Sequence, residues 1–320
     1  MNDINKTRIL DLSRLNSSGF DFKNSNIILV GLGLIGASLA KSLKNAGCEH
    51  IIGIDKKVGV LESLKGDSIL SEIYTDAGIT ENPSILSTGD LTVLCLYPSA
   101  SADFIKMYAE YFKENSIVTD VCGVKSEIEK AVHKISNKNF HYISGHPMAG
   151  KEEGGFENSD ENLFAGANFI ITTFECPSDD SSLENVSDGF SLEYAMNVIE
   201  EMAFLSGCRR ISYLSAEEHD RTIAFTSQLA HALALSVCIC QKENDYKIDG
   251  FTGGSYQDIT RVANINVDLW EKLFMSNSED LYEVISDVQK SLEDFKAALA
   301  SGSLPTLRNL MLKGRKEGSY

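Results

Sequence analysis

Short apolar runs alternate with helical spacing through the first half of the chain. Residues 26–30 (Asn-Ile-Ile-Leu-Val) form a β-branched run that ends on glycine, the pattern of a strand buried on both faces of a sheet. Ala37, Leu39, Ala40 and Leu43 then recur at helical spacing, and residues 51–55 read as a second strand. Residues 91–96, 116–119 and 169–172 read as further strands, and residues 141–144 as one more before a Gly-His-Pro turn. Strands alternating with helices predict an α/β domain with a mostly parallel, doubly wound sheet. Residues 175–190 are acidic and rich in Ser, the composition of a boundary or exposed loop. Beyond them the strand pattern stops, and residues 196–205, 216–241, 267–275 and 278–300 carry helical spacing. The expected organisation is a loosely attached polar extension over 1–24, an α/β domain over 25–176 and an all-α domain over 190–320.

Composition agrees with two globular domains: 320 residues, 43% hydrophobic and 23% charged. The seven Cys are odd in number and form no C-x-x-C pair, which argues against a disulfide framework or a zinc ribbon and fits a reducing cytosol. The polar first residues are not a signal peptide. No stretch is expected to match the roughly 18 uncharged apolar residues of a membrane span, and residues 223–240 read as a buried core helix. The net charge of −17 disfavours nucleic acid and anionic membranes. An anionic ligand therefore needs local donors, either backbone amides or a few well-placed cations.

The sequence supplies such donors. Gly31-Leu-Gly33-Leu34-Ile35-Gly36 follows the first strand and opens a helix, and Asp55 ends the next strand. That context, rather than the glycines alone, marks a Rossmann-type dinucleotide site. Gly31 permits the tight turn, Gly33 lets the backbone approach the pyrophosphate, and Gly36 lets helix and strand pack closely. The pyrophosphate would rest on the amides of the helix start, which includes Leu34 and Ile35. Asp55 can accept from the adenosine ribose hydroxyls and would repel a 2′-phosphate, which favours NAD over NADP; Lys56 and Lys57 pull the other way. A second candidate is His146, held between Gly145 and Pro147 just past a predicted strand end, where an imidazole can accept the proton of an alcohol as hydride leaves.

The stretches GLGLIGASLA (31–40), GHPMAGKEEGGFE (145–157), LF-x-GA (163–167), HD (219–220), TSQLAH (226–231), TRVA (260–263) and LW (269–270) together resemble the prephenate/arogenate dehydrogenase family. The resemblance runs from the first strand into the helical half, and the HPMAG stretch is its most specific part. It implies a Rossmann domain followed by a helical, dimerising substrate domain. It also implies that His146 is the catalytic histidine that hydrogen-bonds the substrate's ring hydroxyl. By the same resemblance His231 helps hold the substrate, Arg261 pairs with its carboxylate, Trp270 lies near the site, and Lys125 ends a loop beside the nicotinamide. Four positions depart from the family pattern: Gly123 where many members carry a serine, Gln228 and Ala230 where the family's S-H-L-P-H reads Ser227-Gln-Leu-Ala-His231, and Gln257 where a lysine is common.

The residues themselves leave some roles open. Ser227, Gln228 and His231 share one face of an apolar helix, which is either a substrate contact or a helix–helix hydrogen-bond network. Arg261 offers a planar fork for a carboxylate, or an ion pair with Asp258 or Glu271. Trp270 suits the core or a dimer interface as well as the substrate. His219-Asp220 is either a helix-start pair or an orienting pair, and Glu152 is either loop solvation or part of the site.

The expected reaction is oxidative decarboxylation of prephenate to 4-hydroxyphenylpyruvate with NAD and without a metal, in a cytoplasmic homodimer on the route to tyrosine. Arogenate as substrate, another two-domain hydroxyacid dehydrogenase, and a non-catalytic NAD-sensing protein are the alternatives. No appended regulatory or mutase domain is expected within residues 1–320.

Overall fold

The computed structural model describes residues 7–136, 138–151, 153–172 and 192–315. The expected boundary loop at 175–190 and Glu152 lie outside the described residues.

Nine strands form one sheet: β1 (Arg8–Ile9), β2 (Ile27–Val30), β3 (Ile51–Ile54), β4 (Glu72–Tyr74), β5 (Leu91–Leu94), β6 (Ile117–Asp120), β7 (His141–Pro147), β8 (Asn168–Thr172) and β9 (Arg210–Leu214). Their spatial order is β1-β9-β8-β7-β6-β5-β2-β3-β4. From β4 to β7 every pairing is parallel, as the buried, β-branched strands predict. The order reverses between β2 and β5, which opens a crevice at their carboxyl ends.

Helices α1 (Leu34–Asn45), α2 (Val58–Gly66), α3 (Asp76–Glu81), α4 (Pro98–Tyr108), α5 (Ser126–His133) and α6 (Leu192–Leu205) flank this sheet. One apolar core joins Leu39 and Leu43 of α1, Leu61 of α2 and Val198 and Met202 of α6 to the sheet. The opposite core joins Ile105 of α4 and Ile128 and Val132 of α5 to the other face. The remaining helices are α7 (Ala216–Ile223), α8 (Leu229–Glu243), α9 (Gly254–Thr260), α10 (Val267–Ser276), α11 (Ser278–Ala300) and α12 (Leu304–Gly314).

The chain divides into two compact units at places other than those expected. The first comprises Met1–Asp220 and Asn264–Ser276; the second comprises Arg221–Ala263 and Asn277–Tyr320. Helix α6 and strand β9, both expected in an all-α domain, belong to the first unit. Residues Arg210–Leu214 alternate buried and exposed positions, a period-2 strand signal too short to stand out between helices. Strand β9 pairs parallel with β8 and antiparallel with β1.

Residues 7–24 are also no loose extension. Leu10, Phe20 and Phe22 are buried in the core. The buried Glu201 carboxylate of α6 accepts from the Asn16 amide (2.6 Å), the Ser18 amide (3.1 Å) and the Ser18 hydroxyl. Glu200 beside it pairs with Arg14 at 3.0 Å and accepts from the Tyr213 hydroxyl. The polar residues of this segment face two acidic side chains far along the chain, and such partners do not show in local pattern.

Helices α7 and α8 form one continuous helix through a π turn at Ala224–Gln228, and from Arg221 onward it belongs to the second unit. It does not read as the buried core helix expected. Leu229 and Ala234 are buried, whereas Leu233, Val237 and Ile239 are exposed. By length and composition the Ala216–Glu243 helix is apolar enough to cross a membrane, with only 28% of its most apolar window buried.

Replacing Glu201 by Ala leaves the Asn16 amide and the buried Ser18 amide and hydroxyl without their acceptor. The expected loss is about 2 kcal/mol of stability, read as a lower urea midpoint at unchanged slope. An unchanged midpoint would show that the N-terminal segment does not brace the sheet.

Candidate active site

Each part of the glycine turn does what its position demands. Gly31 has φ +90°, and a Cβ there would sit 2.7 Å from the Cys95 carbonyl oxygen at the end of β5. A Cβ on Gly36 would fall 1.9 Å from the Gly31 carbonyl oxygen, so α1 packs against the turn only because that residue is glycine. A Cβ on Gly33 would meet nothing within 4 Å, so the open side of the turn lies there. Gly33 caps α1 without a side-chain hydrogen bond, leaving the amides of Leu34 and Ile35 at a positive helix end. Asp55 closes the turn from the next strand: its carboxylate accepts from the Leu32 amide at 2.6 Å and the Lys57 amide at 2.7 Å. An open backbone cradle backed by a fixed carboxylate fits a dinucleotide whose ribose hydroxyls face Asp55.

Further along the same edge, β6 ends in Asp120 and β7 continues to Pro147. His146 therefore lies inside the strand rather than just past it. Parallel pairing of β7 with β6 stops at Ser144, but antiparallel pairing with β8 carries on through His146 and Pro147. One edge of the His146 segment is thus left to the loop after β6. Asp120 organises that loop, and sequence reasoning missed it. Its carboxylate accepts from Tyr142 (2.7 Å), Ser144 (2.8 Å), the Cys122 amide (2.9 Å) and the Lys125 ammonium. An acid closing a wholly buried strand was the available signal.

Lys125, expected among the substrate-binding residues, is fully buried. Its ammonium is held by Asp120 and by the Gly145 carbonyl, so it braces the strand beside His146 instead of facing a ligand.

The His219-Asp220 pair meets His146 directly. Ser215 and Glu218 form a reciprocal capping pair that starts α7, with Ser215 N to Glu218 Oε2 at 3.1 Å and Glu218 N to Ser215 Oγ at 3.2 Å. His219 and Asp220 follow in the first turns. His146 Nδ1 lies 2.9 Å from His219 Nε2, and His219 Nδ1 lies 2.8 Å from Asp220 Oδ1. Asp220 also accepts from the Lys125 and Ser126 amides, both at 2.8 Å, and so caps the start of α5. Of the two open readings, the orienting pair is the one the geometry carries.

Burial drives the His146 imidazole well below its ordinary value, helped by His219 and the Lys125 ammonium. His219 is lowered chiefly by burial as well, against the opposing pull of its hydrogen bond to Asp220. Burial would raise Asp220, but its hydrogen bonds with His219 and Ser126 outweigh this and hold the carboxyl below its usual range.

Helix α10 reaches this loop within the same unit. A Cβ on Gly123 would lie 3.7 Å from Leu273 Cδ2 and 3.9 Å from His146 Nε2, ordinary contacts that leave room for a side chain. Trp270 stands half-buried on α10 with its ring edge-on to Phe274, centroids 5.5 Å apart. The other expected residues belong to the second unit. There the Arg261–Ala263 turn packs on α8, which carries His231; Arg261 itself is exposed. His231 Nδ1 donates to the Ser227 carbonyl at 3.0 Å. Gln228 is buried, and its side-chain carbonyl accepts from Asn277 Nδ2 at 2.9 Å. For Gln228 the helix–helix network is therefore the reading observed.

A dinucleotide cradle at a sheet switch point, with a half-buried histidine at a nearby strand end, defines a two-domain Rossmann-type oxidoreductase. Residues 39–198 match the profile described as "Prephenate dehydrogenase, nucleotide-binding domain", a stretch that begins inside α1, and residues 215–313 match "Prephenate dehydrogenase, dimerization domain". The chain belongs to the prephenate dehydrogenase family. It is 26% identical over 297 residues to the prephenate dehydrogenase of Lactococcus lactis subsp. cremoris, covering 91% of this chain and 75% of that one. It is 27% identical over 285 residues to the cyclohexadienyl dehydrogenase of Zymomonas mobilis, covering 86% and 89%. The fold matches the Aquifex aeolicus prephenate dehydrogenase crystallised with hydroxyphenyl propionate and NAD+, with a TM-score of 0.76, 24% identity, and coverage of 92% and 97%.

The two lowered imidazoles fix the sign of one pH effect. Both stay neutral in the fold but titrate near the ordinary value of 6.5 when unfolded, so the unfolded state binds more protons and stability falls as pH drops below that value. Glu129, pushed up to about 6 by burial, acts oppositely between its ordinary 4.5 and 6. Denaturant unfolding followed from about pH 8 to about pH 5 should show this loss, and replacing both His146 and His219 by Gln should flatten it. An equally steep loss in the double variant would place the acid sensitivity elsewhere.

Proposed function

We propose that this protein oxidatively decarboxylates prephenate to 4-hydroxyphenylpyruvate, with NAD as hydride acceptor, as a cytoplasmic homodimer. The observation that carries the reading is His146. It stands at the carboxyl end of β7, on the same edge of the parallel sheet as the glycine turn, and its Nδ1 is already engaged by His219. Bound NAD would supply the hydride acceptor for the ring carbon that bears the substrate's hydroxyl, and the carboxylate on the opposite ring carbon would leave as carbon dioxide, making the ring aromatic. His146 accepts the proton of that hydroxyl at Nε2. The backbone amides around Gly33 to Gly36 hold the pyrophosphate, and the anchored Asp55 carboxylate holds the ribose hydroxyls and disfavours a 2′-phosphate. Lys125 and Asp120 keep the strand that carries His146 in place.

Arg261 supplies a guanidinium fork for a substrate carboxylate, which matters in a chain of net charge −17. His231, which donates from Nδ1 to the Ser227 carbonyl, and the ring of Trp270 are the further substrate contacts of this reading. The dimerisation match covers α8 and α11, whose Val237, Ile239, Leu292 and Leu299 are exposed apolar side chains. A second copy of the chain is the cover proposed for that surface, and this accounts for an apolar helix without a membrane.

Steady-state formation of NADH or NADPH with prephenate and with arogenate, each with NAD and with NADP, tests the reading. Prephenate with NAD should give the highest kcat/KM; arogenate winning would move the assignment to the amino-acid substrate. His146→Asn should lower kcat by about 100-fold or more with the KM for NAD unchanged. Equal losses in both would contradict the role given to His146.

A further inference from the structure

Among the described residues the hydrogen bond to the His146 ring comes from His219 alone. The loop facing Nε2 presents Gly123, which has no side chain to offer. The orientation of this imidazole, and the nitrogen that carries its proton, must therefore be set from the Nδ1 side.

The hydrogens can be placed by starting from the fixed end. Asp220 accepts from two backbone amides at the start of α5, Lys125 N and Ser126 N, which only an acceptor can satisfy. Its Oδ1 also faces His219 Nδ1 at 2.8 Å, so that nitrogen carries a hydrogen. A neutral imidazole has one N–H, which leaves His219 Nε2 as an acceptor. His146 Nδ1, 2.9 Å away, must then be the donor, and His146 Nε2 is left with a lone pair pointing into the space beside Gly123. With both rings neutral, any other assignment sets two hydrogens or two lone pairs against each other.

We propose that His219 and Asp220 are positioning residues of the dehydrogenase reaction, holding His146 in its Nδ1–H form and taking up part of the positive charge it acquires. The step balances without any further reactant. The substrate hydroxyl proton bonds to His146 Nε2, the His146 Nδ1 proton passes to His219 Nε2, and the cation rests between His219 and the Asp220 carboxylate. Bonding electrons move only in the hydride transfer and in the loss of carbon dioxide already assigned, and the relay itself moves protons alone. The inference rests on the proposed role of His146 as acceptor.

The surrounding charges show why the chain needs its acidic end. The Lys125 ammonium faces both imidazoles and opposes a positive charge on either. Asp220 and Asp120 are the carboxylates that act on His219 in the other direction. Glu129 of α5 lies in the same field of Lys125, Asp120 and Asp220. With Asp120 committed to Lys125, Asp220 is the carboxylate in line with the two rings.

The test uses the full-length enzyme with histidine labelled at its ring nitrogens. Two-bond proton–nitrogen correlation spectra report which nitrogen of each ring is protonated, and His146→Asn identifies the His146 signals among the six histidines. The expected wild-type spectrum shows His146 protonated at Nδ1 and bare at Nε2. In His219→Gln and in Asp220→Asn that preference should be lost. In both, kcat should fall by about 100-fold while the KM for NAD stays fixed, and the acid limb of the kcat profile should move. A wild-type His146 protonated at Nε2 overturns the proposal, as do variants with unchanged kcat and pH profile. If Asp220→Asn does not fold, because it also caps α5, the wild-type spectrum and His219→Gln decide. Active His146→Asn would defeat the acceptor role itself, whereas inactive His146→Asn beside fully active His219→Gln would defeat only the relay.

Discussion

The buried pair of Asp120 and Lys125 is the constraint on which the catalytic edge of the sheet depends. Taking an ammonium and a carboxylate out of water is costly unless nearly every donor and lone pair is satisfied. Here the Asp120 carboxylate also accepts from Tyr142, Ser144 and the Cys122 amide, and the Lys125 ammonium also donates to the Gly145 carbonyl. Those partners come from β6, from β7 and from the loop between β6 and α5, so meeting them fixes all three together. His146 is the residue after Gly145 and inherits that rigidity, while the backbone of Lys125 helps hold Asp220.

The same economy of charge runs through the cofactor side. With a net charge of −17 the surface offers little attraction to a dinucleotide or a dianionic substrate. Attraction must therefore come from dipoles fixed in the backbone and from isolated cations. The glycine turn exposes helix amides where Gly33 has no side chain, and Asp55 is held by two amides of its own. Arg261 is the exposed cation proposed for the substrate side.

The two units were legible to different degrees. The parallel strands, the glycine turn, Asp55 and His146 all follow from local pattern. Period, turn chemistry and the strand–loop–helix context are properties of a few adjacent residues. Strand β9 and the N-terminal segment were not legible. Arg210–Leu214 becomes a strand because β8 and β1 lie on either side of it, and Asn16 and Ser18 are ordered by Glu201, far away in the chain. Lys125 and Gln228 carried the residue types of a binding site, but their polar groups are used internally, by Asp120 and by Asn277.

By itself the sequence determined the chemistry on offer: a dinucleotide turn, a histidine stiffened by a following proline, a guanidinium, and a long apolar helix. Composition and short-range spacing are enough for this, because each signal depends on neighbours only a few residues away. Tertiary structure alone decided which polar groups remain available for a ligand. It placed His219 against His146 and Asp220 against the start of α5, and it sealed Lys125 inside. The reason is physical: whether a donor or acceptor is free depends on what lies within about 3 Å of it, and in this protein those partners are mostly distant in sequence.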